Sequence, residues 1–249
     1  MNLVTEQFDG RDAATLERLI NKCSRPGMIV FELGTYTGRS AMSMLPQIKR
    51  MRGKLYCVDW FRGNPGVTAE ITTSYRNHNI LEIFLNNIKE AGYRDYVTVV
   101  VGTSQDVSRI VAQNSADLIF IDADHRYSKV KCDILQWYPK LKPGGFICGH
   151  DFDKHLKDCD YNRVLERCEE DFVDGCHYGV TRAVCEAFSY VQWEGRIWYV
   201  RKGLGEPVKR MAWHGRKALV TPLRTVASRL PLAKKMFSLI NNPRFRKRD

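Results

Sequence analysis

The 249 residues lack any apolar run near the roughly 20 needed to cross a bilayer. The opening Met1-Asn2-Leu3-Val4-Thr5-Glu6 is acidic and has no apolar stretch, so it does not read as a secretion signal. A cytoplasmic protein is the expectation. Eight cysteines are present, but a chain of this length without a secretion signal keeps them as free thiols. Cys57 and Cys148 sit inside apolar runs as small hydrophobes. Cys159, Cys168, Cys176 and Cys185 lie in the same stretch as His155 and His177, but no C-x2-C pair supports zinc there. Internal repeats and low-complexity segments are absent as well.

What is present is an ordinary globular composition, 44% apolar and 27% charged, with a very uneven charge. Residues 201–249 hold 14 Lys/Arg against 2 Asp/Glu, a net of +12, so residues 1–200 carry −1. This divides the chain into a body, 1–202, and a basic amphipathic tail, 203–249. In the tail, Leu223, Val226 and Leu230 share one face, and Leu232, Met236, Phe237 and Ile240 another, with basic residues between. Docking on the body or on a second subunit, as in a homo-oligomer, is the first expectation. An anionic membrane surface is the second, which would make the protein peripheral at a membrane. No RNA-binding motif backs nucleic acid beyond the charge itself.

The body alternates strand and helix signals. Strands are predicted at Met28–Leu33, Lys54–Asp59, Tyr96–Val101, Asp117–Asp122 and Gly145–Cys148. Helices are predicted at Gly38–Lys49, where Pro46 kinks or shortens the element, and at Ile80–Ala91, Ser104–Ala112, Ser128–Tyr138 and Val180–Phe188. Residues 60–76 read as a loop or lid, in which Trp60, Phe61, Arg62 and Asn64 shape a pocket. Tyr190–Trp193 and Arg196–Val200 form a hairpin turning on Glu194-Gly195. The fold class is therefore α/β: a Rossmann-like, mostly parallel sheet with a C-terminal antiparallel hairpin and helices on both faces.

Chemistry collects at the strand ends. Ile119-Phe120-Ile121-Asp122-Ala123-Asp124-His125 and Gly145-Phe146-Ile147-Cys148-Gly149-His150-Asp151 are apolar runs that stop on acids and histidines. In open α/β sheets ligands bind at that edge. Asp122 and Asp151 suit a hard divalent cation, Mg2+ or Mn2+, and His150 is a third candidate ligand that favours softer metals. His125 has the ordinary pKa of about 6.5 that suits a general base near neutrality. Asp59, ending the second strand, is placed to accept from the two hydroxyls of a ribose.

The loop Glu32-Leu33-Gly34-Thr35-Tyr36-Thr37-Gly38-Arg39-Ser40 lacks the third glycine of G-x-G-x-x-G, which disfavours a nucleotide-dependent oxidoreductase. Its Glu32-Leu33-Gly34-x-x-x-Gly38-x-Ser40 pattern resembles the first motif of class I S-adenosylmethionine-dependent methyltransferases. The resemblance covers roughly residues 25–200 and implies cofactor-binding roles for Glu32, Gly34, Thr35, Tyr36, Gly38, Ser40, Asp59, Trp60, Ser104 and Asp122. By the same resemblance, the segment around Gly34 lines the methionine part and Ser104 lies near the adenine. Lys142-Pro143-Gly144-Gly145 matches the family's turn before its fifth strand. Asp122, His125 and Asp151 resemble the site of metal-dependent O-methyltransferases of the macrolide-sugar type, more distantly the catechol type. There, acids at two strand ends hold Mg2+ and a histidine three residues past the first acts as base. His150 departs from that pattern, since the family has an acid there. Asp124 is a candidate for supporting the ligands from behind. The implied activity is methylation of a hydroxyl on a small, sugar-like or glycan acceptor. The rival of another class is a catalytically silent methyltransferase-like domain whose tail does the binding.

Overall fold

The computed structural model describes residues 8–64 and 69–203. Seven strands form one sheet: β1 Ile29–Leu33, β2 Lys54–Asp59, β3 Val97–Val101, β4 Ala116–Ile121, β5 Leu141–Gly149, β6 Gln192–Glu194 and β7 Ile197–Arg201. Their order is β3-β2-β1-β4-β5-β7-β6, with β1 to β5 parallel and β7 antiparallel to both neighbours. The sequence reading of the fold class is met. The order reverses between β1 and β4, and such a reversal opens a crevice at the carboxyl ends of the two strands.

Eight helices are described: α1 Gly10–Lys22, α2 Arg39–Arg50, α3 Ala69–Asn77, α4 Ile80–Glu90, α5 Ser104–Ser108, α6 Tyr127–Trp137, α7 Tyr161–Arg167 and α8 Tyr178–Ala187. On one face Leu16, Leu19 and Ile20 of α1, Met44, Leu45 and Ile48 of α2 and Phe84 of α4 pack with Val30, Leu55, Leu118 and Phe120 of the strands. On the other face Phe31 stacks on Tyr56 and meets Trp137 of α6. β4 is buried along its whole length, so its apolar run needs no polar alternation.

Several sequence expectations are corrected. α1 was not foreseen, although Asp9 caps it by accepting from Arg11 N and Asp12 N, at 2.7 and 2.9 Å. The segment 60–76 is not all loop, since α3 occupies its second half. Pro46 does not stop α2, which runs through it to Arg50. α5 ends at Ser108, four residues short of the expected end, and α7 is additional. The hairpin turns on Gly195-Arg196, because Glu194 already pairs with Ile197 and Gly195 takes φ 60. The expected helices of the basic tail lie outside the described residues. Among the described residues no helix is long and apolar enough to cross a membrane.

Phe120 is fully buried in the strand that carries Asp122. Phe120→Ala should lower unfolding free energy by about 3–5 kcal/mol, the cost of a large aromatic cavity. Urea unfolding followed by circular dichroism measures this. A loss below about 1 kcal/mol would mean that the centre of the sheet is not packed as described.

Candidate active site

The loop after β1 is shaped by one close approach. Gly34 has φ +80, and a Cβ there would lie 1.9 Å from the Asp122 carbonyl oxygen. Only glycine fits, so the end of β4 can lie directly against the loop. Asp122 N donates to Leu33 O at 2.8 Å and fixes the approach. Tyr36 also takes a left-handed conformation, φ 45, which is unusual for a residue with a side chain.

Two acids hold the loop, in different ways. Glu32 is fully buried beneath it and accepts from the Thr35 hydroxyl, from the Ser40 hydroxyl at 2.6 Å and from the Cys57 thiol at 3.4 Å. It does not reach the cavity, so its cofactor role is corrected to holding the loop. Gly38 is also absent from the cavity wall. It caps α2 at φ +92 against the Phe84 ring. Asp59 does face the cavity, but its carboxylate already accepts from Thr35 N, Tyr36 N and Phe61 N, at 2.9, 3.0 and 2.7 Å.

Beyond the loop lies a cavity of about 570 Å³, within the usual range for small-molecule sites. Gly34, Thr35, Tyr36, Ser40, Trp60, Ser104 and Asp122 line it together with Asp59, His125, His150 and Asp151. The Ser104 hydroxyl donates to Asp133 at 2.6 Å, as does the Gln105 amide at 2.8 Å. Asn64 Nδ2 donates to Ala123 O at 3.0 Å, tying the loop after β2 to the loop after β4. Asp124 turns to Arg126 instead of supporting the cluster, accepting from its backbone N–H and its guanidinium.

The four strand-end residues meet. His125 Nε2 lies 3.0 Å from Asp151 Oδ2 and 3.4 Å from Asp122 Oδ1. His150 Nδ1 lies 3.2 Å from Asp151 Oδ1 and 3.9 Å from Asp122 Oδ1. Asp122, His150 and Asp151 can each offer a ligand atom within 4.8 Å of one another, so these residues fit a divalent cation. Asp151 sits at φ 60, a conformation that costs energy in a residue with a side chain and is found at functional sites.

Five residues that the sequence did not single out for this site complete it. Asp171 Oδ1 lies 3.0 Å from His125 Nδ1, and Asp12 Oδ2 lies 2.9 Å from His150 Nε2. His177 faces His125 edge-on and lies 2.9 Å from Asp153. Arg196, at the hairpin tip, donates its guanidinium to Asp151 and to Asp153. Asp174-Gly175 was the legible signal for part of this. Both have positive φ, and Val173 and Cys176 pair across them, which brings Asp171 and His177 together. No cysteine takes part in a group able to hold a metal among the described residues, which leaves the zinc alternative without support.

Charge explains the protonation state. Burial alone would lower the pKa of His125, but Asp151, Asp122 and Asp171 drive it well above the ordinary value. His150 is likewise lowered by burial but raised by Asp151, Asp122 and Asp12, to about 10. Asp151 is held well below the usual carboxylate range by the two histidines, against its own burial. Without a cation, both imidazoles are charged near neutrality.

Residues 31–152 match a family model described as "Methyltransferase domain". Solved structures of the same shape include the O-methyltransferase NovP, 16% identical, covering 77% of this chain and 79% of that one at a TM-score of 0.55. Another is the O-methyltransferase of Bacillus cereus in complex with SAH, 18% identical, covering 79% and 84% at a TM-score of 0.54. An uncharacterized protein of Acanthamoeba polyphaga mimivirus is 24% identical over 144 residues, which is 56% of this chain. The chain spans 58% of the length of that relative. Residues 31–152 are thus similar to a methyltransferase domain, and the Rossmann-like sheet has the shape of the sheets in those solved structures.

Burial pushes Glu32 up to about 7 and Asp133 also to about 7. Because Glu32 holds its proton longer when folded, its contribution is complete below about pH 4.5 and is lost as pH rises through about 7. The protein should therefore be less stable at pH 7.5 than at pH 5, and Glu32→Gln should narrow that difference. Urea unfolding of both forms at the two pH values measures it. An unchanged difference would show that Glu32 ionises normally in the fold.

Proposed function

We propose that this protein transfers a methyl group from S-adenosylmethionine to a hydroxyl of a small or sugar-like acceptor. On this reading Asp122, Asp151 and His150 hold a divalent cation, and His125 is the base. The observation that carries it is the meeting of Asp122, His125 and Asp151 in the same cavity as the glycine loop and Asp59. The close approach at Gly34 supports it too, since it sets the glycine loop directly against the end of β4 that carries Asp122. Thr35, Tyr36 and Trp60 are assigned to the cofactor with Asp59, whose three accepted amide bonds leave room on Oδ1 for a ribose hydroxyl. Ser104 is assigned to the adenine side.

S-adenosylmethionine supplies an electrophilic methyl group. A cation held by Asp122, Asp151 and His150 would supply positive charge, lowering the pKa of a nearby hydroxyl and relieving the pull of the two acids on the His125 proton. His125 is the group placed to receive the acceptor's proton, and it would do so at Nε2, because Asp171 occupies Nδ1. The walls of the cavity orient the acceptor, and orientation is the larger part of such a rate enhancement. NovP and the Bacillus cereus enzyme are O-methyltransferases, which supports oxygen as the atom methylated. The net +12 of residues 201–249 supports contact of that segment with an anionic surface, docking on the body being the other reading.

Calorimetric titration with S-adenosylmethionine should show binding, and NAD should show none. Binding of NAD alone would replace this reading with an oxidoreductase. Methyl transfer to a panel of glycans and small diols should fall about 10²–10⁴-fold in His125→Ala, the range for losing a general base, and comparably in Asp122→Ala. Unchanged turnover in both variants would remove this site from the reaction.

A further inference from the structure

The His150 ring is held from behind. Its Nε2 lies 2.9 Å from Asp12 Oδ2, and both side chains are under 5% exposed. Asp12 cannot swing freely, because its other oxygen accepts from Arg196 N at 2.9 Å. Nδ1 is thereby left facing Asp151 and Asp122 at the cavity wall. A carboxylate on the far nitrogen fixes the tautomer and direction of an imidazole that ligates a metal through the near one.

The oxygen donors beside it are few. Within the metal-competent group only Asp122 and Asp151 offer oxygen, and Asp151 Oδ1 is shared with the Arg196 guanidinium. Two carboxylates would serve Mg2+, which keeps several of its waters, but Mg2+ takes oxygen ligands and imidazole suits zinc, iron and their neighbours, so the nitrogen donor decides between them.

We propose that His150 binds the cation through Nδ1, with Asp12 as its positioning residue, and that the site takes a nitrogen-accepting divalent cation such as Zn2+, Fe2+ or Co2+ in preference to Mg2+. The inference rests on the reading of Asp122 and Asp151 as metal ligands. A different group, His125, Asp151 and His177, also brings donor atoms within 4.8 Å of one another. There His177 Nδ1 is committed to Asp153 and His125 Nδ1 to Asp171. That group holds Asp151 but not Asp122, so it brings only one of the two strand-end carboxylates.

The full chain, freed of metal, is titrated with Co2+ alone and with Mg2+ alone, by calorimetry and visible absorption. Asp12→Asn should weaken Co2+ about ten- to a hundredfold, as loss of a carboxylate behind a ligand does, and leave Mg2+ nearly unchanged. His150→Asn places an oxygen near the position of Nδ1, so the ratio of Co2+ to Mg2+ affinity should fall at least tenfold. Circular dichroism verifies that both variants fold. Electron spin-echo spectra of the Mn2+-loaded chain give a direct readout. Imidazole nitrogen modulation should be present in the native chain and absent in His150→Asn. Absence of that modulation in the native chain overturns the proposal. So does its loss in His177→Asn with retention in His150→Asn. Binding of S-adenosylmethionine by the metal-free chain is read separately. Nitrogen ligation without cofactor binding leaves this inference standing and sinks the methyltransferase reading, and the converse result does the opposite.

Discussion

The contact between Gly34 and the Asp122 carbonyl oxygen is the constraint on which the site depends. Two parallel strands that diverge at a switch point would ordinarily leave their following loops apart. Here the absence of a side chain at residue 34 lets the loop after β1 lie against the loop after β4. The loop after β1 is the wall assigned to the cofactor, and the loop after β4 begins the acid and histidine cluster. Any side chain at 34 would therefore push the two loops apart. The remaining supports respect this closeness. Glu32 grips the loop from below through Thr35 and Ser40, and Asp59 grips it from the side through two backbone amides.

The centre of the sheet was legible because β1, β4 and the end of β5 are short apolar runs that are almost wholly buried, and burial of that kind leaves a signal in composition alone. Strand-end chemistry was legible for the same reason: an acid or histidine directly after such a run has one place to go. Asp122, His125, His150 and Asp151 could thus be read together. What could not be read was the layer behind them. Asp12 lies 138 residues from His150 in sequence, and Asp171 lies 46 from His125. No local pattern ties such residues to one another; the packing of α1 against the sheet and the tight turn at Asp174-Gly175 do it instead. Glu32 was misplaced for a related reason. Alternation along a strand decides which way a residue points, and motif resemblance does not carry that information when both faces are buried.

The unequal treatment of the two histidines follows from which nitrogen is held. His125 is fixed at Nδ1 by Asp171 and turns Nε2 to the cluster, whereas His150 is fixed at Nε2 by Asp12 and turns Nδ1 to it. Nε2 is the outer nitrogen of the ring and reaches farther from the backbone, so His125 extends toward the space where an acceptor would sit. Nδ1 lies close to its own backbone, so His150 offers its lone pair near the sheet edge, beside Asp151. His125 is also 18% exposed on its side chain against 3% for His150. A proton acceptor must meet substrate, and a ligand need only meet the ion. The more exposed ring suits the first task and the enclosed ring the second. The same pair of carboxylates, Asp122 and Asp151, charges both rings when no cation is present. On the proposed reading, proton release from these rings and cation uptake are coupled, because the ion and the two protons would neutralise the same oxygens.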